Sequence, residues 1–235
     1  MSLIRPAQSQ LAVGVDLGGT RVRVLAVGGG RARARLTGPT IPLPELGRFL
    51  RRVWRARGWT RARVGALVVG AKGVWTARER ARLARRLRPL ARRVSVLSDA
   101  HVALEGALGR GPGLLIVAGT GAIVVGRDAR GHWTRAGGLG PLLGDEGSAF
   151  WLGREWLRAT TEGGDFLPAR RIVSGPDPVA RVAALAPAVV RRARRGDRRA
   201  RAIVRRGQAE LAAQVARVAR RRGRRAPVAA RWAGS

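Results

Sequence analysis

Leu11-Ala12-Val13-Gly14-Val15-Asp16-Leu17-Gly18-Gly19-Thr20-Arg21-Val22-Arg23-Val24-Leu25-Ala26-Val27 holds two short apolar runs around a glycine pair. The runs Leu11–Asp16 and Val22–Val27 predict two strands joined by the turn Leu17-Gly18-Gly19-Thr20. The first strand ends in a carboxylate. Glycine permits positive φ and close approach of the backbone to a ligand. Successive N–H groups in such a turn make a concavity suited to phosphate. Thr20 adds a hydroxyl, and Asp16 is the type of ligand a hydrated Mg²⁺ accepts. A plain hairpin with Gly-Gly at its tip fits the same residues. The turn is neither a Walker loop nor a dinucleotide fingerprint.

Beyond this pair, Arg31–Leu36 predicts a third strand. Pro44–Arg57 carries Leu46, Phe49, Leu50, Val53 and Trp54 at helical spacing. Val64–Gly70 suits a buried parallel strand. Ala77–Arg88 predicts a helix ended by Pro89. Val94–Leu97 predicts a strand and Ala100–Leu108 a helix. The pattern then restarts, with strands Leu114–Ala118 and Ile123–Gly126 around Gly119-Thr120-Gly121 and a third at His132–Ala136. Helices follow at about 147–161, 178–194 and 197–221, and Pro227–Ala230 is a last apolar stretch. The repeat is one of architecture and not of sequence. It predicts an α/β protein of two halves, residues 1–109 and 110–235, with a cleft between them.

The 235 residues suffice for a sizeable core. With no cysteine, disulfides and thiolate metal sites are excluded, and His101 and His132 are too few for a histidine-rich site. No apolar run reaches the ~20 residues of a membrane span. The start, Met-Ser-Leu-Ile-Arg-Pro, has no apolar core behind a basic stretch, so no signal peptide is expected. The expectation is a soluble cytoplasmic protein with no membrane partner.

Lys+Arg number 47 against 14 Asp+Glu, a balance of +33 that points first to nucleic acid. Yet Lys72 is the only lysine, Tyr and Asn are absent, and Ala, Gly, Arg and Pro abound. A GC-rich coding sequence produces this bias with no partner involved. Arginine runs from Arg5 to Arg231 without forming one patch, so no specific nucleic-acid partner is expected. The Arg-rich segments 191–206 and 217–225 read as solvated helix faces.

Two further segments carry chemistry. Asp99, in Ser98-Asp99-Ala100, follows a strand and opens a helix. It suits either a helix N-cap or a general base. Residues 137–148 place five glycines around Asp145-Glu146. Paired carboxylates beside flexible backbone suit polyol hydroxyls, although acids near a helix start are also favoured.

The run from Val96-Leu97-Ser98-Asp99-Ala100 through Gly119-Thr120-Gly121 to Gly144-Asp145-Glu146-Gly147-Ser148-Ala149-Phe150-Trp151-Leu152-Gly153 resembles N-acetylglucosamine kinases and the BadF/BadG/BcrA/BcrD-type ATPases. Asp16–Thr20 resembles the family's first phosphate loop, and Gly196-Asp197 fits its pattern. The resemblance covers residues 11–230. It implies two actin-like (ribonuclease H-like) domains closing over ATP and an amino sugar such as N-acetylglucosamine or glucosamine. Gly18, Gly19, Thr20, Gly119, Thr120 and Gly121 would contact the nucleotide, with Asp16 near Mg²⁺. Asp99 would be the general base. Asp99, Gly138, Leu139, Gly140 and Asp145 would line the sugar site. Phosphoryl transfer needs positioning and charge neutralisation more than covalent catalysis, and closure would exclude water. The expected partner is a small amino sugar, with a homodimer left open.

Three features depart from the family. Ile41 follows Gly38-Pro39-Thr40 where the family has a sugar-binding Asn. Ala122 replaces a common Ser. The sequence ends at Arg231-Trp232-Ala233-Gly234-Ser235, where the family continues, so the second domain is expected to be incomplete. An inactive sugar- or nucleotide-binding homologue is the alternative function. The dehydratase activators and the zinc-binding sugar kinases of the same superfamily are disfavoured, because each needs cysteine.

Overall fold

The computed structural model describes residues 10–19, 21–109, 111–162, 164–221 and 230–233. The chain forms two compact units, residues 1–103 and 104–235, with the division falling inside one helix.

The first unit is built on β1 (Leu11–Leu17), β2 (Arg21–Gly28), β3 (Arg31–Pro39), β4 (Val64–Ala71) and β5 (Arg93–Ser98). The sheet order is β3-β2-β1-β4-β5. β1 pairs antiparallel with β2 and parallel with β4, and β4 pairs parallel with β5. In β2, Val22, Val24 and Ala26 point inward while Arg21, Arg23 and Leu25 face out, the period of two that a half-covered strand requires. β4 is buried along nearly its whole length, as a central parallel strand should be.

α1 (Leu46–Ala56) and α2 (Ala77–Leu87) cover the core. α1 inserts Leu46, Leu50, Val53 and Trp54. The Trp54 indole donates to Leu90 O at 2.8 Å and meets Trp59 edge-on, with ring centroids 5.1 Å apart. α2 is closed by a reciprocal cap: Thr76 Oγ1 accepts from Glu79 N–H, and Glu79 Oε2 accepts from Thr76 N–H. α3 (Asp99–Leu108) follows β5 directly. It approaches β4 closely because Gly70 lacks a side chain: a Cβ there would stand 2.8 Å from Val102 Cγ2.

The second unit repeats the strand order as β8-β7-β6-β9. Its strands are β6 (Gly113–Ala118), β7 (Ala122–Arg127), β8 (Trp133–Gly137) and β9 (Ala230–Ala233). β6 pairs antiparallel with β7 and parallel with β9. The expected apolar stretch at Pro227–Ala230 lies outside the described residues, apart from Ala230, where β9 begins.

The helices of this unit are α4 (Ala149–Thr161), α5 (Leu167–Val173), α6 (Pro178–Ala183), α7 (Ala186–Arg194) and α8 (Arg198–Arg221). The single helix expected over 178–194 is two. Pro187, in the first turn of α7, has no N–H to donate and its ring clashes with the carbonyl four residues back. α5 has no counterpart in the sequence reading. Trp151, Val189, Ala200 and Ile203 form one core, and Leu114, Val124 and Val218 another against the sheet.

Several arginines are structural. Buried Arg127 donates to Glu105 and to the carbonyls of Gly109 and Gly111. Glu155, also buried, is surrounded by Arg154, Arg158 and Arg206, which compensate its charge.

Candidate active site

In the first unit, β1 delivers Asp16 and then the glycine turn. The turn is held from three sides. Gly18 N–H donates to Arg21 O at 3.0 Å, Lys72 N–H donates to Leu17 O at 3.0 Å, and Thr40 Oγ1 donates to Gly18 O at 2.7 Å. Thr20 lies outside the described residues. Asp16 and Arg23 are opposite one another in the β1–β2 register and form an ion pair of 2.9 Å. Lys72 follows β4 immediately, and its ammonium lies beside the turn: a Cβ on Gly19 would be 3.5 Å from Lys72 Nζ.

Asp99 is half-buried at the end of β5. The neighbouring Ser98 caps α3, its Oγ accepting from His101 N–H at 3.2 Å. Asp99 Oδ1 accepts from the adjacent Ala100 N–H at 2.8 Å. Of the two roles open to Asp99 from sequence, capping is therefore performed by Ser98. Burial pushes the Asp99 carboxyl above the usual range. The Ala100 N–H pulls it back, the Asp16 carboxylate raises it further, and the Lys72 ammonium opposes that rise.

In the second unit, Gly119-Thr120-Gly121 joins β6 to β7. Gly119 N–H closes the turn onto Gly121 O at 3.0 Å. The first N–H groups of α4 dock on the same turn, Ala149 to Gly119 O at 2.9 Å and Phe150 to Thr120 O at 3.2 Å. The carbonyls of the turn thus take up N–H groups at the start of α4 that have no partner inside the helix. Thr120 and Gly119 border a cavity of about 730 Å³ walled by Leu152, Ala183, Pro187 and Val190, with Arg191 and Arg194 at its edge. Its size is that of a small-molecule site. A separate cavity of about 480 Å³ in the first unit, beside Leu11, Arg33, Arg63 and Trp59, contains neither glycine turn nor Asp16 and Asp99.

The 137–148 segment packs back on this loop. Gly138 N–H donates to Ala122 O at 2.9 Å. Gly138 and Gly140 both hold positive φ, and Leu139 between them is exposed. Asp145 is buried at positive φ, and its Oδ1 accepts from Ala122 N–H at 3.3 Å. Asp145, Gly138 and the second glycine turn are thus brought together. Glu146 instead accepts from the buried Gln214 Nε2, at 3.4 Å. Ile41 packs against the core of the first unit.

Sequence reasoning passed over Arg23, Lys72 and Ser98. Arg23 was legible only through strand register. Lys72 carried a visible signal, as the sole lysine of the chain.

The profile of the BadF/BadG/BcrA/BcrD ATPase family matches residues 13–231. The chain belongs to that family. Among curated relatives, N-acetylmuramic acid/N-acetylglucosamine kinase of Clostridium acetobutylicum is 34% identical over 83 residues, covering 35% of this chain and 27% of the relative. N-acetyl-D-glucosamine kinase of Dictyostelium discoideum is 30% identical over 170 residues, covering 63% of this chain and 53% of the relative. The matches thus span about half or less of those relatives' length. A solved structure from Chromobacterium violaceum, provisionally assigned as an N-acetylglucosamine kinase, superposes with a TM-score of 0.81 at 24% identity, over 97% of this chain and 88% of that one. That likeness is one of fold, and with the family it makes the expected actin-like α/β architecture the observed one. Among the described residues, no helix is long and apolar enough to cross a membrane.

Proposed function

We propose that the chain is an ATP-dependent kinase of an amino sugar, with N-acetylglucosamine, N-acetylmuramic acid and glucosamine the first substrates to test. One observation carries this reading: Asp99 stands half-buried at a strand end, relieved of helix capping by Ser98, in the unit that holds the Asp16 glycine turn. A carboxyl pushed up by burial is a better proton acceptor near neutral pH than an ordinary aspartate. The names of the curated relatives point to the same class of reaction.

In this reading, residues 1–109 supply Gly18, Gly19 and Thr20 for phosphate and Asp99 for the sugar hydroxyl. Residues 110–235 supply Gly119, Thr120 and Gly121 for the nucleotide, with the neighbouring cavity for its base. Gly138, Leu139, Gly140 and Asp145 belong to sugar recognition. The attacking hydroxyl oxygen bonds to the γ-phosphorus while its proton passes to Asp99. The bond from that phosphorus to the bridging oxygen breaks, leaving the electron pair on ADP. Backbone donors at the two turns would match charge that builds on the phosphoryl oxygens.

No group of three or more acidic or imidazole side chains is placed to hold a metal ion among the described residues. Asp16 alone still fits a nucleotide-borne Mg²⁺, which takes one or two protein carboxylates and fills its shell with phosphate and water. Bound there, the ion would neutralise phosphate charge. Arg23 must then yield its pairing with Asp16. The pair is solvent-exposed, so this costs little.

Ile41, packed against the core of the first unit where the resemblance places a sugar-binding Asn, supports one second reading, a binding homologue without turnover. The deciding experiment is ADP release from ATP and Mg²⁺ with a panel of amino sugars, with Asp99→Asn as control. Turnover with one sugar, lost in the control, is expected. Folded protein that turns over none of them would overturn the kinase reading.

A further inference from the structure

We propose that Lys72 is a phosphate ligand of the first unit, its ammonium holding the terminal phosphate of the nucleotide against the Gly18-Gly19 turn. The inference rests on the kinase reading for the identity of the anion, and on the following geometry for the residue.

Lys72 Nζ lies against the Gly18-Gly19 turn, in van der Waals range of Gly19: a Cβ built there would be 3.5 Å from it. The backbone beneath it is fixed. Lys72 N–H donates to Leu17 O at 3.0 Å, and Gly73 next to it holds φ at +85°. The residue is therefore anchored to the very turn that contains Gly19, while its side chain is exposed. Among the described residues no carboxylate lies within ion-pair distance of Nζ. The Lys72 ammonium is close enough to the Asp99 carboxyl to oppose the rise that burial and the Asp16 carboxylate produce there. Arg23, the cation across from Asp16, is already engaged by that carboxylate, whereas the Lys72 ammonium stands beside Gly19.

The residue type matters. Every other basic residue in the chain is arginine. A guanidinium is a rigid planar fork suited to bidentate pairing. An ammonium is a compact charge with three rotatable donors on a flexible stem, and it can follow a phosphoryl group as that group moves between oxygens. During transfer the phosphorus leaves the ADP oxygen and bonds to the sugar oxygen, with the hydroxyl proton going to a carboxylate. Lys72 exchanges no proton in that step and acts by charge alone.

The test compares wild type, Lys72→Met and Lys72→Arg as full-length proteins. Calorimetric binding of a non-hydrolysable ATP analogue, AMP and adenosine is measured, and kcat and both KM values wherever turnover is found. Lys72→Met is expected to weaken the triphosphate analogue roughly 10- to 100-fold, the range of a lost charge-assisted hydrogen bond, and to leave adenosine unchanged. Its kcat is expected to fall roughly 10²–10³-fold with the sugar KM unaltered. Lys72→Arg should recover part of the binding, which separates charge from fold. Equal affinity of wild type and Lys72→Met for the triphosphate analogue overturns the proposal, as does an equal loss for adenosine. If wild type binds the analogue through Lys72 but phosphorylates no sugar, the kinase reading falls and the phosphate site stands. If wild type binds no nucleotide, both fall.

Discussion

Asp145 occupies the space that a side chain at position 121 would need: a Cβ on Gly121 would stand 2.8 Å from Asp145 Oδ2 and 3.1 Å from its Cγ. The second glycine turn and the acidic loop are therefore one object. The carboxylate that sequence reading assigns to sugar recognition also supports the loop assigned to the nucleotide, through Ala122 N–H.

Gly121→Ala should separate the two. The added methyl group must displace a buried carboxylate, and overpacking of this kind costs about 1–3 kcal/mol. A lowered Tm together with reduced nucleotide-dependent turnover is expected. Gly121 is not among the glycines held at positive φ, so the cost comes from the contact with Asp145 and not from backbone strain. Turnover equal to wild type in Gly121→Ala would show that Asp145 can move without consequence.

Asp99 gives a pH prediction with a defined sign. Its folded pKa lies above the ordinary carboxylate value because burial disfavours the charged form. Activity that needs the ionised base should fall as pH drops through that raised value, and Asp99→Asn should abolish activity without unfolding the chain. Stability runs the other way. A proton held more tightly in the folded state means that ionisation above the folded pKa costs stability, and that the cost is absent below the unfolded pKa. Asp99→Asn should therefore raise Tm near pH 7 and bring no gain near pH 3. For a chain of this size, 1 kcal/mol corresponds to roughly 2–4 °C. A Tm lowered at pH 7 would contradict the assigned environment.

Arg23→Ala should release Asp16 for Mg²⁺. The concentration of Mg²⁺ giving half-maximal velocity should fall. Stability should change by less than about 1 kcal/mol, as is usual for an exposed pair. A rise in the Mg²⁺ requirement would place Arg23, and not Asp16, in the binding step.

Thr76→Ala removes the cap of α2 and should cost roughly 0.5–2 kcal/mol by chemical denaturation. The backbone and hydroxyl of Thr76 hold the Glu79 carboxyl below its ordinary pKa. That contribution is present above the unfolded pKa and disappears as pH falls through the folded one. The difference between wild type and Thr76→Ala should accordingly narrow in acid.

By itself the sequence determined the alternation of strands and helices, the two glycine turns and their repetition in two halves. These follow from local chemistry: the two-residue period of Val22–Val27, the apolar run of Val64–Gly70, and the freedom of glycine after a strand. It also exposed Asp16, Asp99 and Asp145, because a carboxylate beside glycine or at a strand end is visible without coordinates. Tertiary structure alone decided which of several local options each residue takes. Ser98 caps α3 in place of Asp99 because its hydroxyl, and not the carboxylate, reaches His101 N–H. Arg23 meets Asp16 through strand register, and Lys72 meets Gly19 because parallel pairing brings the end of β4 beside the end of β1. Pairings of this kind join residues far apart in the chain, and no periodicity or spacing within one segment records them.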